Sequence, residues 1–216
     1  MELASAAGIR IRNIEFITTE PLISQTKADS LSALNPTTVV FTSTNSVEAL
    51  SALLKQYPVG LRATEVYCMA GRTAEAVKTM FPSLTVKGTG NSARELADKI
   101  IHDGVKTALF FSGNLRRDDL PDQLMRHGVL VSELEIYRTH PRPVKLDTDF
   151  SGVIFFSPSA ADSFFSLNQL NDNVVCFAIG ETTAGALTKY TSNQIMVANI
   201  PRQENVIAMV IDHFRK

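Results

Sequence analysis

Short runs of β-branched and aromatic residues alternate along the chain with longer segments in which apolar residues recur every three or four positions. Runs of the first kind predict strands at 9–20, 37–43, 65–71, 84–88, 107–113, 129–139, 152–158, 174–180 and 194–198. Segments of the second kind predict helices at 45–56, 73–81, 92–103, 115–128, 159–170 and 182–190. Strands that alternate with helices are typical of parallel sheets whose faces are covered by helices. The pattern therefore predicts an α/β fold.

Two strand-to-helix turns in the first half of the chain resemble two in the second half. VFTSTNSV (40–47) is similar to IFFSPSAA (154–161), and MAGRTAEAV (69–77) is similar to AIGETTAGAL (178–187). Two copies of one α/β unit would explain this repeat, and 216 residues are enough for two small domains. Turns that join strands to helices also resemble one another in general, so the repeat alone leaves both explanations open.

Two extended segments bracket the middle of the chain, FITTEPL (16–22) and EIYRTHPRP (135–143). If they pair as a two-stranded β-ladder, they link two small parallel-sheet α/β domains. The first domain is then discontinuous and consists of 1–17 with 140–216, whereas 21–136 form a second, inserted domain. The two domains would hinge about the ladder.

The charges nearly balance, with 21 Lys and Arg against 22 Asp and Glu. We therefore expect neither nucleic acid nor a membrane surface as a partner, and any anionic ligand must be bound locally. The sequence has no apolar run of the roughly 18 residues that span a membrane, and its N-terminus does not read as a signal peptide, so we expect a cytoplasmic protein. Cys68 and Cys176 lie within apolar runs and are expected to be reduced, buried thiols. Neither they nor the four histidines have metal-ligand spacing.

Six turns share one construction, in which an apolar strand is followed by small or hydroxylic residues and then by a helix. They are TSTNS (42–46), GRT (71–73), GTGNSARE (88–95), SGNLRR (112–117), SPSAAD (157–162) and GETT (180–183). Ligands of open parallel sheets bind at the carboxyl ends of the strands, and helix N-termini present free N–H groups to anions. Six such turns facing one cleft would suit a large ligand with many carboxylates. Each turn alone also fits ordinary capping, because Ser92 with Glu95 and Asn45 with Glu48 have the spacing of capping boxes.

Arg116 and Arg117 stand where the helix predicted at 115–128 begins. Cations are disfavoured there by about 0.3–1 kcal/mol, because the first turn of a helix carries partial positive charge. An anionic ligand docked at the turn would offset this cost, and Asp118 and Asp119 would offset part of it without a ligand. Alternatively, both arginines reach solvent beside those aspartates and the turn has no binding role.

Other chemical motifs are few. GTGNSA (88–93) has the spacing of a dinucleotide-binding loop, but no acidic residue ends a convincing following strand, so we expect no dinucleotide. The sequence contains no Walker motif and no G-x-S-x-G elbow. Tyr137 is a candidate acid–base group because it lies where the predicted ladder would border the cleft, although most tyrosines are packing residues.

The sequence resembles the uroporphyrinogen-III synthase family from about residue 3 to its C-terminus. The resemblance is carried by FFSGNLRRDDLP and LEIYRT, with VVFTSTNSVEAL before them and IFFSPSA and AIGETTAGAL after them. It implies a bilobal protein that closes hydroxymethylbilane, a linear tetrapyrrole with eight carboxylates, with loss of water and inversion of ring D. The product is uroporphyrinogen III. It also implies that no cofactor is needed, that the protein is a monomer, and that hydroxymethylbilane synthase supplies the substrate.

The resemblance implies roles for particular residues as well. Tyr137 matches the family tyrosine proposed to protonate the departing hydroxyl. The matching substrate-binding positions are Thr42, Ser43, Gly71, Arg72, Thr73, Gly113, Asn114, Leu115, Arg116, Ser157, Pro158, Ser159, Gly180, Thr182 and Thr183. Arg117 is expected to point away from the cleft, because neighbouring helical residues face different directions.

The N-terminal segment departs from the family pattern. Family members usually begin with a strand carrying an arginine and then most of a helix, whereas this chain begins within that helix at LASAAG (3–8). The first domain is therefore expected to lack a central strand. Two other functions compete with catalysis: a non-catalytic bilobal module that binds a polycarboxylate small molecule, and a plain interaction protein with no ligand in the cleft.

Overall fold

The computed structural model describes Ser5, residues 7–147 and residues 150–215. The strands within these residues are β1 Ile17–Pro21, β2 Thr38–Phe41, β3 Glu65–Met69, β4 Thr85–Gly90, β5 Thr107–Gly113, β6 Leu130–Pro141, β7 Gly152–Phe155, β8 Val175–Ala178 and β9 Ile195–Val197. The helices are α1 Gln25–Leu34, α2 Thr44–Gln56, α3 Arg72–Met80, α4 Ala93–His102, α5 Asp119–Arg126, α6 Pro158–Phe165, α7 Glu181–Leu187 and α8 Gln203–Phe214. No helix in this part of the chain is both long and apolar enough to cross a membrane.

The chain forms two compact units. The first unit consists of Met1–Thr18 and His140–Lys216, and the second unit consists of Thr19–Thr139. The chain passes from one unit to the other within β1 and again within β6. Hinge motion about these two strands stays a prediction.

The second unit is built on a six-stranded sheet in the order β1-β6-β5-β2-β3-β4. Strand β2 pairs in parallel with β3 and β5, and the outer pairs β3–β4 and β5–β6 are also parallel. Alternating side chains of β2 face opposite layers: Val39 and Phe41 pack with α1, α2 and α3, and Val40 packs with α4 and α5. Phe41 stacks on Phe111 with ring centroids 5.1 Å apart. Helices on both faces of a parallel sheet confirm the predicted α/β class.

The first unit contains a three-stranded parallel sheet in the order β7-β8-β9. Phe164 of α6 lies in the layer on one face, where its ring meets the rings of Phe16 and Phe155 edge-on. Phe177 of β8 packs on the opposite face with Val206 of α8. The cores of this unit are therefore built on both faces of a small sheet.

The predicted strand at 9–20 is wrong over its first part, because the strand begins only at Ile17. Ile9 and Ile11 pack in a cluster with Ile207 and Ile211 of α8. Alternating apolar residues can thus be covered by a helix surface without pairing as a strand. The expected helix at LASAAG (3–8) lies largely outside the described residues.

The helix predicted at 115–128 is also wrong at its start, because α5 begins at Asp119. The backbone makes a turn first, in which the N–H of Arg116 donates to the carbonyl of Gly113 at 3.1 Å. Two helices, α1 and α8, were not predicted from the sequence. Ser24 caps α1 by accepting from the N–H of Lys27 at 3.3 Å.

Candidate functional site

Parallel pairing places the carboxyl ends of β2, β3, β4 and β5 at one edge of the sheet in the second unit. Ser43 follows β2 and caps α2, with its Oγ accepting from the N–H of Asn45 at 3.1 Å. The capping box predicted for Asn45 with Glu48 is therefore wrong. Asn45 instead donates through Nδ2 to Oγ1 of Thr19 at 3.4 Å. Thr42, next to the cap, is half-buried at the same edge.

The turn after β3 leaves the start of a helix without a side-chain cap. Gly71 is the N-cap of α3 and has a φ of +72°, a backbone conformation that favours glycine. Among the described residues, no side chain caps the first N–H groups of α3. Arg72 is exposed, whereas Thr73 is buried at 6% exposure. The backbone donors and the Arg72 side chain are thus the groups of this turn that a ligand can reach.

The ring of Tyr137 packs against the end of β5, where the turn to α5 begins. The register between β5 and β6 shifts after Ser112, and this irregularity pairs Gly113 with Tyr137. A Cβ added at Gly113 would overlap ring carbons of Tyr137, so the phenol ring packs directly on the glycine. Tyr137 is half-buried against the core of the second unit. Its hydroxyl makes no hydrogen bond with any described residue.

Asn114 ties the same turn to β6. Its Nδ2 donates to the carbonyl of Thr139 at 3.1 Å, and its Oδ1 accepts from the N–H of Thr139 at 2.8 Å. Thr139 is buried and lies two residues beyond Tyr137. The amide of Asn114 therefore holds the backbone on one side of Tyr137 in place. Direct contact of Asn114 with a substrate stays a prediction.

Both arginines of this turn form ion pairs with carboxylates. Arg116 pairs with Asp118 through Nη1 and with Glu133 of β6 through Nε, the latter at 2.5 Å. Hydrogen bonding to Asp118, with the charge of Glu133, raises the pKa of Arg116 above its ordinary value. Arg117 pairs with Asp119 at 2.6 Å.

Because α5 begins at Asp119, both arginines precede the helix, and the partnering by aspartates that we considered from the sequence is present. Leu115, between Asn114 and Arg116, is 58% exposed. The Nη1 and Nε atoms of Arg116 are therefore already paired with carboxylates of the protein.

In the first unit, the turn after β7 is a capped helix start. Ser157 is the N-cap of α6, and its Oγ accepts from the N–H of Ala160 at 3.1 Å. The hydroxyls of Ser157 and Ser159 are hydrogen-bonded to each other at 3.1 Å. Pro158 begins the helix, where its missing N–H has no intrahelical partner to lose. Both hydroxyls are half-buried at this edge of the sheet.

The turn after β8 contains one exposed and one buried threonine. Gly180 is the extended N-cap of α7, which has no side-chain cap. Thr183 is buried, and its N–H donates to the carbonyl of Gly180 at 3.0 Å. Thr182 is exposed. Of the two threonines, Thr182 is therefore the one whose side chain can reach a ligand.

Several residues around these turns escaped the sequence analysis. Glu133 and Thr139 engage Arg116 and Asn114 from β6, which is distant in sequence. The turn after β9 was also missed; it leads through Pro201 to Arg202, the N-cap of α8. The missed signal was a turn-forming proline followed by apolar residues at helical spacing, namely Val206, Ile207, Val210 and Ile211.

The described residues contain no group of three or more His, Cys, Asp or Glu that could hold a metal ion. The turns at these edges present backbone N–H groups, hydroxyls, arginines and one phenol. Such groups can bind anions and donate a proton.

Comparisons with known proteins agree with this description. The sequence matches the family Uroporphyrinogen-III synthase HemD over residues 2–208. It is 31% identical over 170 residues to the Uroporphyrinogen-III synthase of Chlorobaculum parvum, a match that covers 70% of this chain and 69% of that protein.

Solved structures share the fold. The uroporphyrinogen-III synthetase of Helicobacter pylori superposes with a TM-score of 0.72 at 18% identity, covering 94% of this chain and 95% of that one. A mutant Uroporphyrinogen III Synthase of Thermus thermophilus gives a TM-score of 0.70 at 18% identity, covering 99% of this chain and 92% of that one.

The fold and the turns define a class of α/β proteins with two units, each ending its parallel strands in hydroxyl- and glycine-rich turns. The chain belongs to the uroporphyrinogen-III synthase family. Its function is therefore uroporphyrinogen-III synthesis in tetrapyrrole biosynthesis, and it is a hydro-lyase.

Proposed function

We propose that this chain converts hydroxymethylbilane to uroporphyrinogen III, with inversion of ring D, and that Tyr137 donates the proton that lets the hydroxyl leave as water. The observation that carries this proposal is the setting of Tyr137. Its ring is fixed on Gly113, and its hydroxyl has no hydrogen-bond partner among the described residues. A phenol held in this way can donate to an incoming oxygen without first breaking a bond within the protein.

The reaction balances with one proton transfer at this position. The C–O bond of the hydroxymethyl group breaks while a pyrrole nitrogen supplies electrons, and the departing hydroxide takes the phenol proton and leaves as water. The resulting azafulvene is attacked by the substituted carbon of ring D, which gives a spiro-pyrrolenine. Rearrangement of this intermediate and loss of a ring proton restore the aromatic pyrroles, and one proton returns to Tyr137.

The helix starts at the carboxyl edge of each unit support the proposal that carboxylates bind there. The first N–H groups of α3, after Gly71, have no side-chain cap, and neither do those of α7, after Gly180. Each such start carries partial positive charge that favours an anion by about 0.3–1 kcal/mol. Eight carboxylates on one substrate allow several such contacts to add. The binding positions given above from the family resemblance are proposed on this basis.

Positioning supplies much of the remaining catalysis. The hydroxymethyl group ionises readily because the pyrrole nitrogen assists it, so the protein must mainly hold the chain for attack at the substituted carbon. Asn114 and Thr139 fix the backbone next to Tyr137 through two hydrogen bonds. A proton donor held in one position favours loss of water from one bound geometry of the substrate. Closure in solution has no such donor.

The test is the variant Tyr137→Phe assayed with freshly generated hydroxymethylbilane. We expect kcat for uroporphyrinogen III to fall by about 100-fold, at the low end of general acid catalysis, with KM nearly unchanged. Tyr57→Phe is the matched control, because Tyr57 is also half-buried against the same core and its hydroxyl has no partner among the described residues. A kcat for Tyr137→Phe equal to that of Tyr57→Phe would remove the acid role from Tyr137.

We further propose that the protein acts as a monomer and receives its substrate from hydroxymethylbilane synthase, as the family resemblance implies. Sedimentation at micromolar concentration should give the mass of one chain of 23.6 kDa. A species of twice that mass would contradict the monomer.

A further inference from the structure

Two apolar side chains are exposed at the carboxyl edge of the sheet in the first unit. Phe156 immediately follows β7 and is 44% exposed, and Ile200 lies in the turn after β9 and is 50% exposed. The neighbouring Phe155 is buried, at 2% exposure, whereas Phe156 and Ile200 are not. Their apolar surface therefore remains in water unless something covers it.

These two side chains flank the turn that begins at Gly180. The N–H of Ile179 donates to the carbonyl of Phe155 at 3.1 Å, which brings the ends of β7 and β8 together. On the other side, a Cβ added at Gly180 would lie 4.0 Å from Cβ of Pro201, the residue after Ile200. The exposed apolar residues thus lie on either side of a turn that is proposed above to bind a carboxylate.

An exposed arginine, Arg202, lies in the turn after β9 at the same edge of the sheet. Arg202 is the N-cap of α8, is exposed, and forms no ion pair with a described residue. A cation at a helix start is disfavoured, because the unpaired N–H groups already carry positive charge. Unlike Arg116 and Arg117, Arg202 forms no ion pair with a carboxylate of the described part of the chain, although Glu204 lies in the first turn of α8 and offsets part of this cost. An anionic group from a ligand would pair with Arg202 directly.

We propose that Phe156, Ile200 and Arg202 form a subsite for one pyrrole ring of the substrate and a carboxylate that it carries. This inference rests on the proposed function, because it takes its ligand from that reaction. The flat ring lies on the two apolar side chains, and Arg202 binds the acid group. A pyrrole with acidic side chains combines an apolar face with negative charge, and this combination matches the edge better than an apolar ligand or a free anion would.

Binding of uroporphyrinogen III, kept reduced in the dark without oxygen, tests the subsite by calorimetry. We expect Phe156→Ala and Arg202→Gln each to weaken binding by about five- to tenfold, and Ile200→Ala by about threefold. Phe156→Tyr should bind like the unmodified protein because it keeps the ring. Leu167→Ala is the control, since Leu167 is 48% exposed in the same unit, in the loop after α6.

The same variants are then assayed with hydroxymethylbilane, so that failure of the subsite and failure of the proposed reaction can be told apart. A raised KM with an unchanged kcat in Phe156→Ala and Arg202→Gln is the expected result. Weakened binding in the variants of a protein that proves inactive would keep the subsite and overturn the reaction. Affinities equal to that of Leu167→Ala would overturn the subsite, whether or not the unmodified protein is active, and no binding by the unmodified protein would overturn both.

Discussion

Gly113→Ala should disable the enzyme through Tyr137 without touching its hydroxyl. The ring carbons of Tyr137 lie where the new methyl group would stand, and the main chain of Gly113 is fixed in register with Tyr137 between β5 and β6. The phenol ring must therefore move away from the strand. The variant changes the position of the proposed proton donor and leaves its hydroxyl intact.

The size of the effect follows from the geometry. Carbon atoms in contact prefer a separation of about 3.5–4.0 Å, so the ring has to shift by roughly 1 Å. A displacement of that size costs about 100-fold in rate when the moved group takes part in the reaction. Overpacking at this buried position should also lower the free energy of unfolding by about 1–3 kcal/mol.

The assay is the initial rate of uroporphyrinogen III formation from fresh hydroxymethylbilane, with urea unfolding of the same sample. Gly60→Ala is the control, because a methyl group there meets nothing within 4 Å in a loop of the same unit. In the background of Tyr137→Phe, Gly113→Ala should lower kcat by no more than about threefold further, since the two changes act through one group. The reasoning would be refuted by a full additional 100-fold loss in that background, or by an unchanged kcat in the single variant. Either result would mean that packing on Gly113 does not position Tyr137 for the reaction.

Three further predictions concern single contacts. Asn114→Ala leaves the buried N–H of Thr139 without its partner and should lower the free energy of unfolding by about 1–3 kcal/mol, measured in urea; an unchanged midpoint would contradict this. Burial raises the pKa of the Cys68 and Cys176 thiols to about 11, so a thiol reagent at about pH 8 should label neither until the protein is unfolded. Rapid labelling of folded protein would contradict the strand positions. Burial and a hydrogen bond to a neighbouring aspartate raise the pKa of Tyr67 well above its usual range. The stabilisation is present below the unfolded pKa of about 10 and is lost as pH rises through the folded pKa, so urea stability should fall above about pH 10, and Tyr67→Phe should flatten that fall.

The sequence pattern predicts strands more reliably than it predicts where helices begin. Apolar runs such as 107–113 become strands with the expected bounds because a central parallel strand is buried on both faces. The start of α5 was misplaced because apolar spacing alone does not register the turn from Gly113 to Arg116. At 9–16 the alternation is real, but the isoleucines are covered by α8 and not by a neighbouring strand.

The turns at the carboxyl edges could be predicted from the alternation of strands and helices along the chain. Parallel strands that are each followed by a helix end at the same edge of their sheet. The packing of Tyr137 on Gly113 could not be predicted in the same way. It depends on a one-residue irregularity between β5 and β6 that local propensity does not encode. The same holds for the two hydrogen bonds of Asn114, whose partner Thr139 is 25 residues away in sequence. Contacts of this range are fixed by register, and register is decided by the whole sheet.

Isomer analysis of the product tests the central claim most directly. The protein is mixed with freshly generated hydroxymethylbilane, the products are oxidised, and the type I and type III porphyrins are separated by chromatography beside a control without protein. We predict a clear excess of type III over the control. Type I alone, which is the product of spontaneous closure, would contradict the proposed reaction.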